Sequence, residues 1–183
     1  MRATDIKIRL ATPSDAEIYD AFMEAMFAEN LDTLPYRSQN TSIDLMRQFL
    51  KKCSEDHSAL FLAENDDRII GGIGISRIDQ PNRNHVSTLG MNVADGWRGK
   101  GIGRAMLSHA LAWADATPSV ERIELEVTAH NEPAIHLYRA FGFQLEGSKL
   151  RAMKKDGKYI DLLVLARMGC TLKGEVSDSF RKV

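Results

Sequence analysis

The sequence predicts a single α/β domain, on three observations. Segments with the two-residue period of half-buried strands are interspersed with segments of helical period. A strand-like run ending at Val93 passes through a loop carrying Gly99, Gly101 and Gly103 straight into an apolar helical repeat at Ile102, Met106, Leu107, Ala110, Leu111 and Ala114. The third observation is size, since 183 residues suffice for one domain with a substantial core and are too few for two of typical size.

The elements follow in order. Ile6, Ile8 and Leu10 alternate with Lys7 and Arg9, the pattern of a first strand with one apolar face. Thr12-Pro13-Ser14-Asp15 offers a cap, and Ala16, Ile18, Tyr19, Phe22, Met23, Met26 and Phe27 predict a helix from about Asp15 to Ala28. The Met and Phe residues of that helix fill the core or line a pocket. Asn30 to Thr41 reads as a loop, and Ser42 to Cys53 resumes helical spacing. Ala59 to Ala63 and Ile69 to Ile78, joined by Glu64-Asn65-Asp66-Asp67-Arg68, predict a β-hairpin. A turn at Gln80 to Asn84 precedes the strand His85 to Val93. Thr117-Pro118 closes the helix after the glycine loop, and Arg122 to Thr128 alternates Ile123, Leu125 and Val127 with Glu124, Glu126 and Thr128.

From Asn131, a helix opened by Pro133 places Ala134, Leu137, Tyr138 and Phe141 on one face and stops at Gly142, with Phe143 folding back. Gln144 to Met153 and Tyr159 to Arg167 flank an Asp156-Gly157 reverse turn. The expected domain is 1–171. Residues 172–183 lack an apolar period and are expected to form a mobile tail.

Composition narrows the function. With 24 basic and 25 acidic residues, the total charge suggests neither a nucleic acid nor an anionic membrane partner. No apolar run approaches a membrane span, and the N-terminus lacks a signal-peptide core, so a cytoplasmic location is expected. Cys53 and Cys170 have no metal-ligand or Cys-x-x-Cys spacing, and no metal is expected.

The glycine loop carries the chemistry. Glycines permit positive φ and close approach to the main chain, and the first N–H groups of a helix present partial positive charge, so the turn suits phosphate. A P-loop would require Gly-Lys-Ser/Thr, but Gly103 is followed by Arg104-Ala105. A dinucleotide fingerprint would need its third glycine one residue later. Arg98, Gly101 and Gly103 match the Gln/Arg-x-x-Gly-x-Gly/Ala pattern, and Asn131, Ala134, Leu137, Tyr138, Gly142 and Phe143 match Asn-x-x-Ala-x-x-Leu-Tyr-x-x-x-Gly-Phe. In these two motifs, in this order, the chain resembles the GNAT acetyltransferases over roughly residues 6–168. Its closing segment is similar to that of bacterial phosphinothricin and L-amino acid N-acyltransferase-like members.

The resemblance implies a mixed, mostly antiparallel sheet of six to seven strands, splayed between the strands ending at Val93 and Thr128 and flanked by about four helices. Coenzyme A would lie in the split. The implied co-substrate is acetyl-CoA, its pyrophosphate held at Arg98, Gly99, Lys100, Gly101, Ile102, Gly103 and Arg104. Its pantetheine would lie along Met91, Asn92 and Val93, with Asn131 and Ala134 beside it; Asn131 can equally serve as a helix cap. Tyr138 is the implied acid for the leaving thiolate, or else packs against the coenzyme. The relatives' acidic residue on the strand before the loop is missing, with Thr88 at the place expected for it, so Glu126 is the candidate base. Glu124 and a water chain are the alternatives.

The expected acceptor is a small primary amine such as an amino acid, with Arg151 for a carboxylate and Tyr159 and Asp161 for an ammonium, or all three as plain hairpin surface. A protein N-terminus and a non-catalytic acyl-CoA-binding module are the competing readings. The segment 30–41 either helps form the acceptor site or is a surface connector. A homodimer is compatible with all of them.

Overall fold

In the strand Ala59–Asn65 the first five residues, Ala59 to Ala63, are apolar and buried on both faces, as a strand covered on both sides must be. Its residues alternate between two cores: Ala59, Phe61 and Ala63 enter one, Leu60 and Leu62 the other. The computed structural model describes residues 6–29, 42–55 and 57–169. The expected loop over 30–41, Cys170 and the expected tail lie outside them.

Among the described residues the strands are β1 (Lys7–Leu10), β2 (Ala59–Asn65), β3 (Arg68–Arg77), β4 (Val86–Val93), β5 (Arg122–Thr128), β6 (Gln144–Lys155) and β7 (Lys158–Met168). The helices are α1 (Ala16–Ala28), α2 (Ile43–Glu55), α3 (Ile102–Asp115) and α4 (Glu132–Ala140). One sheet runs in the order β1-β2-β3-β4-β5-β7-β6. Every neighbouring pair is antiparallel except β4 and β5. This is the mixed sheet the resemblance implies.

The helices cover the two faces. Tyr19, Phe22 and Met26 of α1 and Leu50 of α2 pack with Leu60 and Leu62. Met106, Leu107 and Ala110 of α3 and Ile135 and Tyr138 of α4 pack on the other side with Ile73, Ile123, Leu125 and Leu165. Two adjacent glycines in β3 let both layers close down. A Cβ at Gly71 would stand 2.8 Å from Met106 Cε, and one at Gly72 would stand 2.9 Å from Tyr19 Cε2.

Two local expectations are corrected. Leu10 does not share the inward face of Ile6 and Ile8 but is 47% exposed, because β1 ends there and the next residue, Ala11, already belongs to the opposite core. On α4 the buried positions are Ile135 and Tyr138, while Ala134 and Leu137 are only half-buried. The helix lies at the edge of the core, so its predicted face is divided between core and cleft.

The parallel pair positions the site. β4 and β5 pair only through Val86–Arg122, Ser87–Ile123 and Thr88–Glu124. Beyond Thr88 the strands part, so the stretches from Leu89 and from Leu125 onward border an opening in the middle of the sheet.

Candidate active site

The loop after β4 delivers a glycine turn with open N–H groups to that opening. Gly101, at φ 83°, is the N-cap of α3, a conformation open to glycine at no steric cost. The first bond of this helix runs from Ala105 N–H to Gly101 O at 3.0 Å. The N–H groups of Ile102, Gly103 and Arg104 precede it and have no partner among the described residues. Three donors thus stand open at the positive end of a fourteen-residue helix whose first turn, at Gly103 and Arg104, borders the cleft.

Two cavities meet at the split. The first, of about 360 Å³, is lined by Met91, Asn92, Val93, Arg98, Gly99, Gly101, Gly103, Arg104, Asn131 and Ala134 from the expected set, and by Met26, Trp97, Pro133 and Leu137. The second, of about 460 Å³, is lined by Met23 and Phe27 of α1, Leu89 to Asn92 of β4, Glu126 to Thr128 of β5, Asn131, Ala134 and Tyr138, and Met153 and Leu162 of the closing hairpin. Met91, Asn92, Asn131 and Ala134 border both.

Not every expected residue lines the cleft with its side chain. Ile102 is 3% exposed, packs in the core and lines neither cavity. Lys100 lies outside both linings, its Nζ 5.2 Å above the Trp97 ring. Arg98 is occupied by the protein. Its Nε donates to Val93 O at 2.9 Å and its guanidinium pairs with Glu29, tying the loop to the ends of β4 and α1. Arg104 stacks over Phe141 at 5.4 Å. Asn131 caps α4, its Oδ1 accepting from Ala134 N–H at 3.3 Å.

Tyr138 is 6% exposed and meets Phe143 edge to face at 5.7 Å. Burial pushes its phenol up to about 12, so it keeps its proton at neutral pH. Glu126 projects from the β5 face opposite Leu125 and Val127 and pairs with Lys149 of β6. Glu124 takes hydrogen bonds from Arg83 at 2.7 Å and Arg122 at 3.5 Å, in the zipped part of the split, and lines neither cavity. Thr88 is paired opposite it and likewise lies outside both linings.

The hairpin trio is placed differently from the acceptor role expected of it. Arg151 takes φ 52° in a bulge of β6, where the five residues from Lys149 to Met153 stand opposite three of β7, Ile160 to Leu162. Asp161 Oδ1 accepts the Arg151 N–H at 2.6 Å, which holds the bulge. The Arg151 guanidinium lies 5.1 Å over Tyr159. None of the three lines either cavity. Sequence periodicity missed Met153, whose place in the wall depends on that bulge, and Trp97, which carries no periodic signal in its loop.

Among the described residues no cluster of His, Cys, Asp or Glu could hold a metal, and no helix is long and apolar enough to cross a membrane. A family model described as the acetyltransferase (GNAT) family matches residues 16–143. The chain is 32% identical over 103 residues to the L-amino acid N-acetyltransferase AaaT of Escherichia coli, spanning 56% of this chain and 64% of that protein. It is 32% identical over 111 residues to the N-alpha-acetyltransferase RimI of Mycobacterium tuberculosis, spanning 60% of this chain and 66% of that one. Both matches thus span just under two thirds of the relative's length. A GNAT-family acetyltransferase structure from Streptococcus pneumoniae superposes with a TM-score of 0.84 at 27% identity, over 90% of this chain and 99% of that one. A sheet split after Thr88, a helix start with open N–H groups at the split and a family match that takes in both motifs agree, and the chain belongs to the GNAT acetyltransferase family.

Proposed function

We propose that this protein is an acetyl-CoA-dependent N-acetyltransferase whose acceptor is a small primary amine, such as an amino acid or a related metabolite. The observation that carries the reading is the meeting of two unlike cavities at the split. One has open helix N–H groups, and the other has a buried tyrosine, a carboxylate and otherwise largely apolar walls. The amides of the turn from Gly99 to Arg104 suit a pyrophosphate. The main chain of β4 from Met91 to Val93, unpaired on its β5 side, offers hydrogen bonds to a pantetheine arm, with Asn131 and Ala134 opposite.

Acetyl-CoA supplies the acetyl group as a thioester. The chain's own residues must hold it, leave the amine a lone pair and return a proton to the thiolate. Tyr138, protonated and facing the second cavity, is the proton donor. Glu126 takes the amine proton, directly or through water. An incoming ammonium competes with Lys149 for that carboxylate, so binding the acceptor also frees the base.

The similarity to the L-amino acid enzyme supports a small acceptor, and so do cavity walls built of Met23, Phe27, Leu89, Met153 and Leu162. Acetylation of a protein N-terminus is the second reading. The similarity to RimI favours it. The test is a thiol-release assay with acetyl-CoA and a panel of amino acids, polyamines, aminoglycosides and N-terminal ribosomal peptides. Release with amino acids is expected. Activity confined to peptides overturns the small-molecule reading, and acetyl-CoA binding without release from any amine makes the protein a coenzyme-binding module.

A further inference from the structure

The polar groups of the second cavity are distributed unequally between its walls. Glu126 and Thr128 come from β5, and Asn131 and Tyr138 from the segment that follows it. The opposite wall, made by α1 and β4, contributes Met23, Phe27, Leu89, Gly90, Met91 and a single polar side chain, Asn92. On β4, Leu89 is buried in the core on the α3 side and Met91 and Val93 pack against it, so strand alternation turns Asn92 to the α1 face. There its Nδ2 lies 3.7 Å from Met23 Sδ. A carboxamide has two N–H donors and a carbonyl acceptor, and a thioether, which only accepts, is a weak partner for the donors and none for the carbonyl. This is the side chain's one hydrogen bond among the described residues.

We infer that the Asn92 side chain determines acceptor specificity by donating its Nδ2–H groups to the carboxylate of an α-amino acid. The inference rests on the small-amine reading above and deepens it. The amine has to approach the wall that carries Glu126 and Tyr138, which leaves the acceptor's other polar end against the β4 wall. Among the described residues no Lys or Arg side chain lines this cavity, and Arg151 is stacked on Tyr159 outside it. Asn92 is the donor that wall supplies. The role belongs to the side chain and is separate from any main-chain contact that β4 makes with pantetheine.

The experiment compares acceptors matched except for the carboxylate. Each amino acid turned over in the panel is assayed beside its decarboxylated amine, starting with L-leucine and isoamylamine, and the readout is the ratio of their kcat/KM values. Asn92→Leu is expected to lower the ratio by about tenfold, the scale of one hydrogen bond to a charged group. Asn92→Asp, nearly isosteric, is expected to lower it further, because a carboxylate there repels the acid and attracts the plain ammonium. Loss of activity in equal proportion for both acceptors, or a ratio within about twofold of wild type in both variants, overturns the inference while leaving the acetyltransferase reading intact. A wild-type protein that acetylates peptides alone overturns the small-molecule reading, and Asn92's role with it.

Discussion

Tyr138 belongs to the core and, in the proposed function, also supplies the proton. Its ring is part of the α3–α4 core, while the residue also borders the cavity that holds Glu126. With its phenol at about 12, the group stays protonated across the neutral and mildly alkaline range, so it should add no descending limb to the rate profile there. Tyr138→Phe keeps the ring contact with Phe143 and removes the proton. Turnover is expected to fall by about 100-fold with acetyl-CoA affinity little changed, as measured by steady-state kinetics and calorimetry. Wild-type turnover would make Tyr138 a packing residue. This tyrosine was legible in the sequence because motif spacing is local. The Lys149 partner of Glu126 was not, because it comes from a strand 23 residues away whose register no local pattern records.

In the proposed function the start of α3 acts as a whole element in holding the pyrophosphate. Gly103 sits in its first turn, and a Cβ there would meet Leu137 Cδ2 and Met91 Cε, each at 3.4 Å. Both are ends of flexible side chains, so the helix can accommodate a longer residue. Gly103→Glu is therefore expected to remain folded, with a thermal midpoint close to wild type, while its carboxylate enters the first cavity among the open N–H groups. Acetyl-CoA affinity should weaken by at least about 100-fold in calorimetry, since the new charge both repels pyrophosphate and occupies its donors. Unchanged affinity in a folded variant would remove this turn from the site. Glycine spacing and helical period made the element readable in advance. The β6 bulge was not, since the side chain that holds it, Asp161, lies on the neighbouring strand.

Across the whole molecule, the N-terminal end of the sheet is tied by one cluster. Arg9 of β1 donates to both oxygens of Asp15, at 2.8 and 2.7 Å, and also to Glu64 of β2. The Asp15 carboxylate further accepts from the Thr12 N–H at 2.7 Å and the Thr12 hydroxyl at 2.9 Å. Chiefly through Arg9, the Asp15 carboxyl is held at about 2, below its ordinary 3.8. A depressed carboxylate pKa contributes stability above the unfolded value, and that contribution is lost as pH falls through the folded value. Asp15→Asn is expected to cost about 2 kcal/mol near neutral pH. The gap between wild type and variant should close between pH 3.8 and about 2, followed by chemical denaturation. A gap independent of pH would show that the pair acts through packing alone.

The sequence by itself determined the order of strands and helices, the glycine turn and both family motifs, because period, capping and turn chemistry depend on neighbours a few residues apart. The resemblance already implied a split between β4 and β5, and only the tertiary structure decided that it opens after Thr88, that Asn92 faces α1 across from Glu126, and that Met153 joins the cavity wall. Each depends on pairing and packing between segments tens of residues apart, which local periodicity does not encode.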